Sequence, residues 1–546
     1  MQRSRSARHF LLPWLLAAGT HLLLMSEGSA PEEGAASAIV NGQPVSVLIQ
    51  RYTAWLKSNG AILDKISIEW SQAVGFHLKA TRYVEPGETL MHVPARLRLG
   101  PGAVQSWPML HMFGSLSEPD WMRLMLIAEN ANKSSFWRPY FDMLPQTSDA
   151  LMFWTDLQLG ELQSSESVAV AQRQLQEGRK HLDENGVKGG YLHLKEYVFD
   201  KRPDLFPDGH PYTQERYLWA TQILRSRTFG KNIITPLIDL ANHRPDNRLS
   251  LSEREGQGFA YVESNRRLQP GDEIFIFYGF KSDSFLLSQY GFTAAPHIDN
   301  PFNKVVLRLS RSQVRPDESK IMELKANLMR AMGLDMGEPI DFHITSGPLP
   351  PTLMAYLTVD ACESFYDQFP QVNAEAVLRA AAGFALVDMD PEIARWLFRK
   401  ALRNLMGLVS QLKKKYSTTL KQDNKIMASL RAGKDGHRDG EAGRRKFLAL
   451  MVRMGEKKIL ADISRALDQV FPDTLSPCLP ISQLINQPIY LSPKCDAIFL
   501  LPAQHDEAHE RDILIGWPVN AQCILRCFPV SIFVFDCFVH FMGRPG

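Results

Sequence analysis

RSRTFGKNIITPLIDLANHRPDN (225–247) and LQPGDEIFIFYGFKSDSFLLSQYGF (268–292) are the stretches from which the fold is read. In the first, the apolar run 233–241 ends in Asn242-His243. In the second, Pro270-Gly271-Asp272 forms a turn and the following apolar run ends in Tyr278-Gly279. Tyr290-Gly291-Phe292 closes the segment. Polar and aromatic pairs at the ends of buried runs lie where a scaffold presents chemistry. Three of them in fixed order point to an active site rather than to packing alone.

On the N-terminal side of this segment the pattern is β-rich. Residues 66–70 alternate like a strand, and 75–81 and 89–94 follow, with Pro86-Gly87 turning between them. Helical spacing takes over in 121–130, 166–182 and 214–224, so a helical insert (about 105–225) interrupts the β-region. Strand signals return at 260–262 and 273–278. Beyond residue 310 the periodicity is helical, across 319–333, 374–387, 391–415 and 444–470. Residues 31–50 are small and polar and read as a linker, with a short helix over 52–58.

A chain of 546 residues exceeds one core, so two or more domains are expected. Its net charge of +2 supplies no global field for a polyanion. The six cysteines form no CxxC pair and do not lie at zinc spacing from histidines, so no metal is expected. His505 and His509 are four apart but lack the HExxH order, and read as part of a solvated acidic stretch. Lys413-Lys414-Lys415 and Arg444-Arg445-Lys446 read as solvated helix faces able to attract an acidic protein. Without interleaved aromatics they give no basis for nucleic-acid binding. Arg3, Arg5 and Arg8, an apolar run over 10–25 and then Gly28-Ser29-Ala30 give 1–30 the order of a signal or targeting peptide. An uncleaved anchor and a misassigned start are the alternatives. The run is short for a membrane span, and none is expected in the mature chain. Asn132-Lys133-Ser134 is a glycosylation sequon, meaningful only in a secretory lumen. The tail, 476–546, has no readable periodicity.

Together these motifs resemble the SET-domain methyltransferases, in the branch holding the Rubisco large-subunit lysine methyltransferases and the actin-histidine methyltransferase. The likeness runs over roughly residues 60–465. It includes Phe136-Trp137-Arg138-Pro139-Tyr140 with Leu144-Pro145, and Tyr217-Leu218-Trp219-Ala220 leading into Arg225-Ser226-Arg227. It extends to Tyr416-Ser417-Thr418-Thr419 and to the run from Arg453 to Leu460. The resemblance implies an α+β protein: a knotted, β-rich SET domain (51–300) carrying the helical insert, then an all-α substrate-binding domain (301–475). In that fold the Asn-His segment threads beside the segment bearing the tyrosine. The resemblance also implies S-adenosyl-L-methionine as methyl donor and a protein side chain as acceptor, held by the C-terminal domain of a monomer.

Methyl transfer from a sulfonium is an in-line displacement, in which positioning and field dominate. A lysine acceptor must arrive as the free amine, which a partly dry aromatic channel promotes. Aromatic faces also attract a cationic sulfonium. By resemblance, Tyr278 is the catalytic tyrosine and Tyr290 lines the acceptor channel. Asn242 and His243 contact the cofactor, and Arg227 pairs with its carboxylate, for which a guanidinium is suited. Phe292 stacks on the adenine or fills the core. Asp239 contacts the cofactor or only holds the turn. Phe76 belongs to the hairpin that meets the cofactor.

That hairpin departs from the branch. Where Gly-x-Gly-Leu is usual, the chain reads Gly75-Phe76-His77-Leu78. A side chain at the second glycine adds a cost if the position needs positive φ or close cofactor approach. The plain reading is a tolerated surface histidine. The function expected is transfer of a methyl group to a protein lysine. Histidine methylation and a non-catalytic SET-scaffold binding protein are the alternatives. The N-terminus suggests secretory entry or bipartite plastid delivery, whereas relatives of this branch are cytosolic, nuclear or plastidic.

Overall fold

The computed structural model describes residues 38–470, except 106, 108–115, 180–189, 231, 246–250, 254–257, 295–299, 310–322, 324–326, 329, 332–338, 363–372, 374–375, 379–389 and 433–439. The targeting peptide, the tail and most of the helices read at 319–333 and 374–387 lie outside the described residues.

The β-rich start forms as its alternation predicts. Strand Ile66–Ser71 pairs antiparallel with Gly75–Ala80, placing Glu69 opposite His77 and Ile68 opposite Leu78. Thr89–Pro94 pairs with Phe259–Glu263, joining the chain on either side of the insert. The expected linker is shorter than 31–50. Residues Ile39–Val40 and Gln43–Pro44 pair as a small hairpin, and the helix Val45–Ser58 starts well before residue 52. Val45, Leu48, Tyr52, Trp55 and Leu56 recur at helical spacing and are buried. Flanking small residues concealed that stripe.

In the insert, helix Glu118–Ala131 starts at Ser117, whose hydroxyl accepts from the Asp120 amide, with proline in the first turn. Helix Gln214–Arg227 starts at Thr213 in the same way, through the Arg216 amide. Its residues from Trp219 to Leu224 are all buried, so tertiary packing rather than amphipathicity holds it. It delivers Arg225 and Arg227 in its last turn.

Two large hydrophobic cores result. One gathers Tyr52, Leu78, Met125, Tyr140, Trp219 and Ile238. The other gathers Leu307, Ile344, Leu357, Leu402, Leu405 and Ile463. Each fully buried leucine contributes about 2 kcal/mol. The second core corrects the all-α expectation for 301–475. Lys304–Leu309 pairs antiparallel with Ile340–Thr345, and Val305, Leu307 and Leu309 all face inward. Helices Pro351–Ala361, Pro391–Lys415 and Glu441–Val470 pack on that hairpin's core. Asp390 caps the second of these through the Glu392 and Ile393 amides, and three lysines complement its C-terminal dipole.

Candidate active site

Three chain segments separated in sequence lie side by side. The Ile274 amide donates to the Leu78 carbonyl at 2.8 Å, and the Ala80 amide to the Asp272 carbonyl at 2.8 Å, so the 272–274 run flanks Gly75–Ala80. On its other side Phe275–Ile276 pairs in parallel with Asn242–His243. The Asn-His segment therefore runs beside the segment that bears Tyr278. The Asn242 side-chain amide donates to Glu273 Oε1 at 2.7 Å.

Tyr278 follows this pairing. Its amide donates to His243 Nδ1 at 3.2 Å and its hydroxyl to the Ala241 carbonyl at 2.8 Å. Its ring stacks 5.0 Å from the His243 ring, 4.9 Å from Tyr290, and edge-on 6.3 Å from Phe292. Tyr290 and Phe292 are 5.8 Å apart. All four rings are half-buried, and Tyr278 also packs against the first core. Helix Asp283–Tyr290 presents Tyr290. It starts at Ser282, whose hydroxyl accepts from the Phe285 amide, and ends at Gly291 with φ +83°. Burial pushes the Tyr278 hydroxyl well above its ordinary range, with Arg227 opposing and Tyr290 adding. At neutral pH it is a fixed, protonated donor, not a base.

Beside these rings lies a buried polar cluster. Arg227 Nη1 donates to Asp239 Oδ2 at 2.9 Å and to the Asp239 carbonyl at 3.1 Å. The Tyr140 hydroxyl donates to the same Oδ2 at 2.7 Å. The Asp239 side chain is fully enclosed, and burial raises its carboxyl against the pull of Arg227 and Tyr140. Asp239 Oδ1 and Arg227 Nε are buried without a hydrogen-bond partner. Arg227 is thus an internal, ion-paired arginine, not a solvated helix end. One residue before the turn carrying Asp239, Leu237 sits at φ +77° and ψ −54°, and its amide donates to the Tyr52 hydroxyl at 2.7 Å. A buried leucine in this sparsely populated region costs about 1–3 kcal/mol. The Val45–Ser58 helix restrains it through Tyr52.

Phe76 is half-buried and packs on the first core beside this assembly. His77 corrects the surface reading: it is 5% exposed, and its Nδ1 lies 3.0 Å from the Gly75 carbonyl. Its φ is not positive, so it adds no left-handed strain, whereas Gly75 takes φ +73°. The alternation that puts Leu78 and Ala80 in the core sends His77 to the opposite face, beside Glu69. Burial of that face depends on later segments, which local sequence does not reveal.

Sequence reasoning missed Tyr52 and Glu273 and the partnership of Tyr140 with Asp239. Tyr52 sits on the buried stripe of its helix, which is the signal that identifies it. Tyr140 lies inside a motif already singled out. Nothing local marks Leu237, because leucine does not favour positive φ.

Residues 316–460 match the family model for the Rubisco LSMT substrate-binding domain. Over 437 residues the chain is 26% identical to the chloroplastic Rubisco large subunit N-methyltransferase of Nicotiana tabacum, covering 76% of this chain and 80% of that protein. Over 449 residues it is 25% identical to the chloroplastic fructose-bisphosphate aldolase-lysine N-methyltransferase of Arabidopsis thaliana, covering 78% and 83%. Actin-histidine N-methyltransferase of Canis lupus familiaris is 23% identical over 428 residues, covering 74% of this chain and 66% of that protein. Among solved structures, the SET domain of LSMT bound to lysine and AdoHcy superposes with a TM-score of 0.59 at 23% identity, over 78% of this chain and 92% of that one. Rubisco LSMT bound to sinefungin and monomethyllysine gives 0.59 at 24%, with the same coverage. The chain therefore has the fold of the LSMT SET domain with a helical C-terminal region.

Proposed function

We infer that the protein is an S-adenosylmethionine-dependent protein methyltransferase whose acceptor is a lysine side chain. The observation that carries the reading is the setting of Tyr278. Its hydroxyl is pinned to the Ala241 carbonyl, and its ring stands among His243, Tyr290 and Phe292. That setting occurs in a chain whose relatives include a Rubisco large subunit N-methyltransferase and an aldolase-lysine N-methyltransferase.

The ring cluster suits the cofactor in two respects. Its half-buried rings offer faces to a sulfonium and to an adenine, and the Asp239–Arg227 cluster beside it retains unsatisfied polar atoms. When bound, S-adenosylmethionine supplies an electrophilic methyl group. In this reading Asn242, His243, Arg227, Phe76 and Phe292 hold it, with Asp239 orienting Arg227. Tyr278, its proton committed to Ala241, offers hydroxyl lone pairs that orient the acceptor nitrogen. Tyr290 borders the acceptor and favours its neutral amine by excluding water. Positioning of this kind supplies most of the acceleration in a displacement reaction.

The same reading places a knotted SET domain at 51–300 and a substrate-holding unit at 301–475. Two separate cores support that division. It takes the protein to act as a monomer on a protein substrate, without nucleic acid. Among the described residues no helix is long and apolar enough to cross a membrane. The relatives named chloroplastic favour plastid delivery as the role of residues 1–30. Histidine is the second acceptor reading, supported by the likeness to actin-histidine methyltransferase.

The test is calorimetric titration of the folded chain with S-adenosylmethionine, then incubation with tritiated cofactor and a protein extract. Label recovered as methylated lysine after hydrolysis supports the reading, and methylhistidine supports the second. A folded chain that neither binds nor transfers is a non-catalytic scaffold.

A further inference from the structure

Tyr290 and Phe292 are separated by Gly291, and that glycine is pressed against a distant segment. A Cβ at Gly291 would stand 2.8 Å from the Ala150 amide nitrogen and 3.1 Å from the Asp149 carbonyl carbon. The 148–150 backbone thus buttresses the point where the chain leaves helix Asp283–Tyr290. The same end of that helix is also held by Gln222, which donates to the Gln289 carbonyl at 2.8 Å.

The buttress is itself held by the C-terminal helix Glu441–Val470. Arg445 is 6% exposed. Its Nε donates to Asp149 Oδ1 at 3.2 Å, its Nη2 to the Ser148 carbonyl at 3.3 Å, and its Nη1 to the Phe153 carbonyl at 3.1 Å. Nη1 also meets Gln158 Oε1 at 2.8 Å and Glu441 Oε1 at 2.6 Å. Arg444 adds a contact to Asp149 Oδ2 at 3.1 Å. A planar guanidinium shared between two backbone carbonyls and two carboxylates fixes a loop in one geometry, which a lysine cannot reproduce. Leu151 and Trp154 on the buttress, Leu287 on the Tyr290 helix and Val452 on the C-terminal helix share one small core.

We propose that Arg445 is a positioning residue that couples the C-terminal unit to the ring cluster around Tyr278. By locking 148–153 it seats Gly291 and sets the spacing of Tyr290 and Phe292 around Tyr278. A protein bound to the C-terminal helices and strained against Glu441–Val470 would be felt at these rings through this side chain, beside the small core that the two helices share. The proposal rests on the methyltransferase reading for its catalytic consequence but not for its structural one.

The experiment compares wild type, Arg445→Met, Arg445→Lys and the milder Asp149→Asn, all as the full chain, by amide hydrogen exchange and by transfer kinetics. Exchange is expected to rise about tenfold or more at 149–154 and 289–292 in Arg445→Met, with Ile66–Ser71 and Gly75–Ala80 unchanged. Maximal transfer rate is expected to fall about tenfold to a hundredfold, as small misplacements do, with Arg445→Lys intermediate and Asp149→Asn in the same direction. A rise in exchange confined to Glu441–Val470 overturns the proposal, as does an unaltered transfer rate in an active enzyme. If Arg445→Met fails to fold, the Asp149→Asn result decides by the same criteria. Should the wild type transfer no methyl group, the function assigned above fails, while the exchange result still decides the coupling.

Discussion

The Tyr278 hydroxyl donates to the Ala241 carbonyl at 2.8 Å, across 37 residues of chain. Ala241 immediately precedes the Asn-His pair, so one hydrogen bond ties the tyrosine to the neighbouring strand's entry. The phenol is thereby fixed and uncharged, and it contributes orientation more than acidity.

Tyr278→Phe keeps the ring stack with His243 and Tyr290 but loses this bond. Transfer is expected to fall about a hundredfold, in the range of one lost catalytic hydrogen-bonding group. Stability should drop by only about 1 kcal/mol, and the calorimetric affinity for S-adenosylmethionine should change little. Turnover equal to wild type would refute the assigned role.

Asp239→Asn removes the charge that balances Arg227 inside the protein. Breaking a buried pair at one partner costs about 3 kcal/mol or more. Replacing both partners by apolar residues, as in Arg227→Met with Asp239→Leu, should recover much of that stability without restoring activity. Urea unfolding of the wild type and the two variants checks this. A double variant no more stable than Asp239→Asn would show that the pair itself, not the orphaned charge, stabilises the fold.

His77→Gly matches the usual residue of the branch yet is expected to weaken the protein. His77 needs no left-handed backbone and is buried, so glycine adds flexibility in a strand at about 0.5–1 kcal/mol and removes a packed ring. The thermal midpoint should fall. Cofactor affinity should stay within about twofold, because the backbone at this position is already extended. A large gain in affinity measured by calorimetry would show that the imidazole obstructs the cofactor.

Glu456 gives the stability a pH dependence. Burial pushes its carboxyl up to about 7, opposed by hydrogen bonds from Ser165 at 2.7 Å and Tyr416 at 2.8 Å. Between an unfolded value near 4.5 and about 7, the folded chain holds a proton that the unfolded chain has lost. Stability from this group therefore falls as pH rises through that window and levels off above it. Glu456→Gln should flatten the decline between pH 5 and pH 8 and raise the thermal midpoint at the higher pH. A wild-type decline of unchanged size in Glu456→Gln assigns it to other groups.

Much of the architecture was legible locally. The alternation in 66–70 and 89–94 and the helical period of 391–415 appear where expected. The hairpin of Lys304–Leu309 and Ile340–Thr345 was not, because helical periodicity dominates the chain beyond residue 310 and two short strands do not stand out against it. The Val45–Ser58 helix was read too short for a related reason: its apolar stripe begins among residues that resemble a linker.

The sequence by itself determined the order of the Asn242-His243, Tyr278-Gly279 and Tyr290-Gly291-Phe292 motifs and the type of most elements around them, because turn chemistry and hydrophobic period act over a few residues. Only the tertiary structure decided that Arg227 and Tyr140 converge on Asp239, that His77 is buried, and that Arg445 reaches the backbone beside Gly291. Those outcomes depend on which groups lose water together. Desolvation and pairing are settled between segments that meet only in the folded chain.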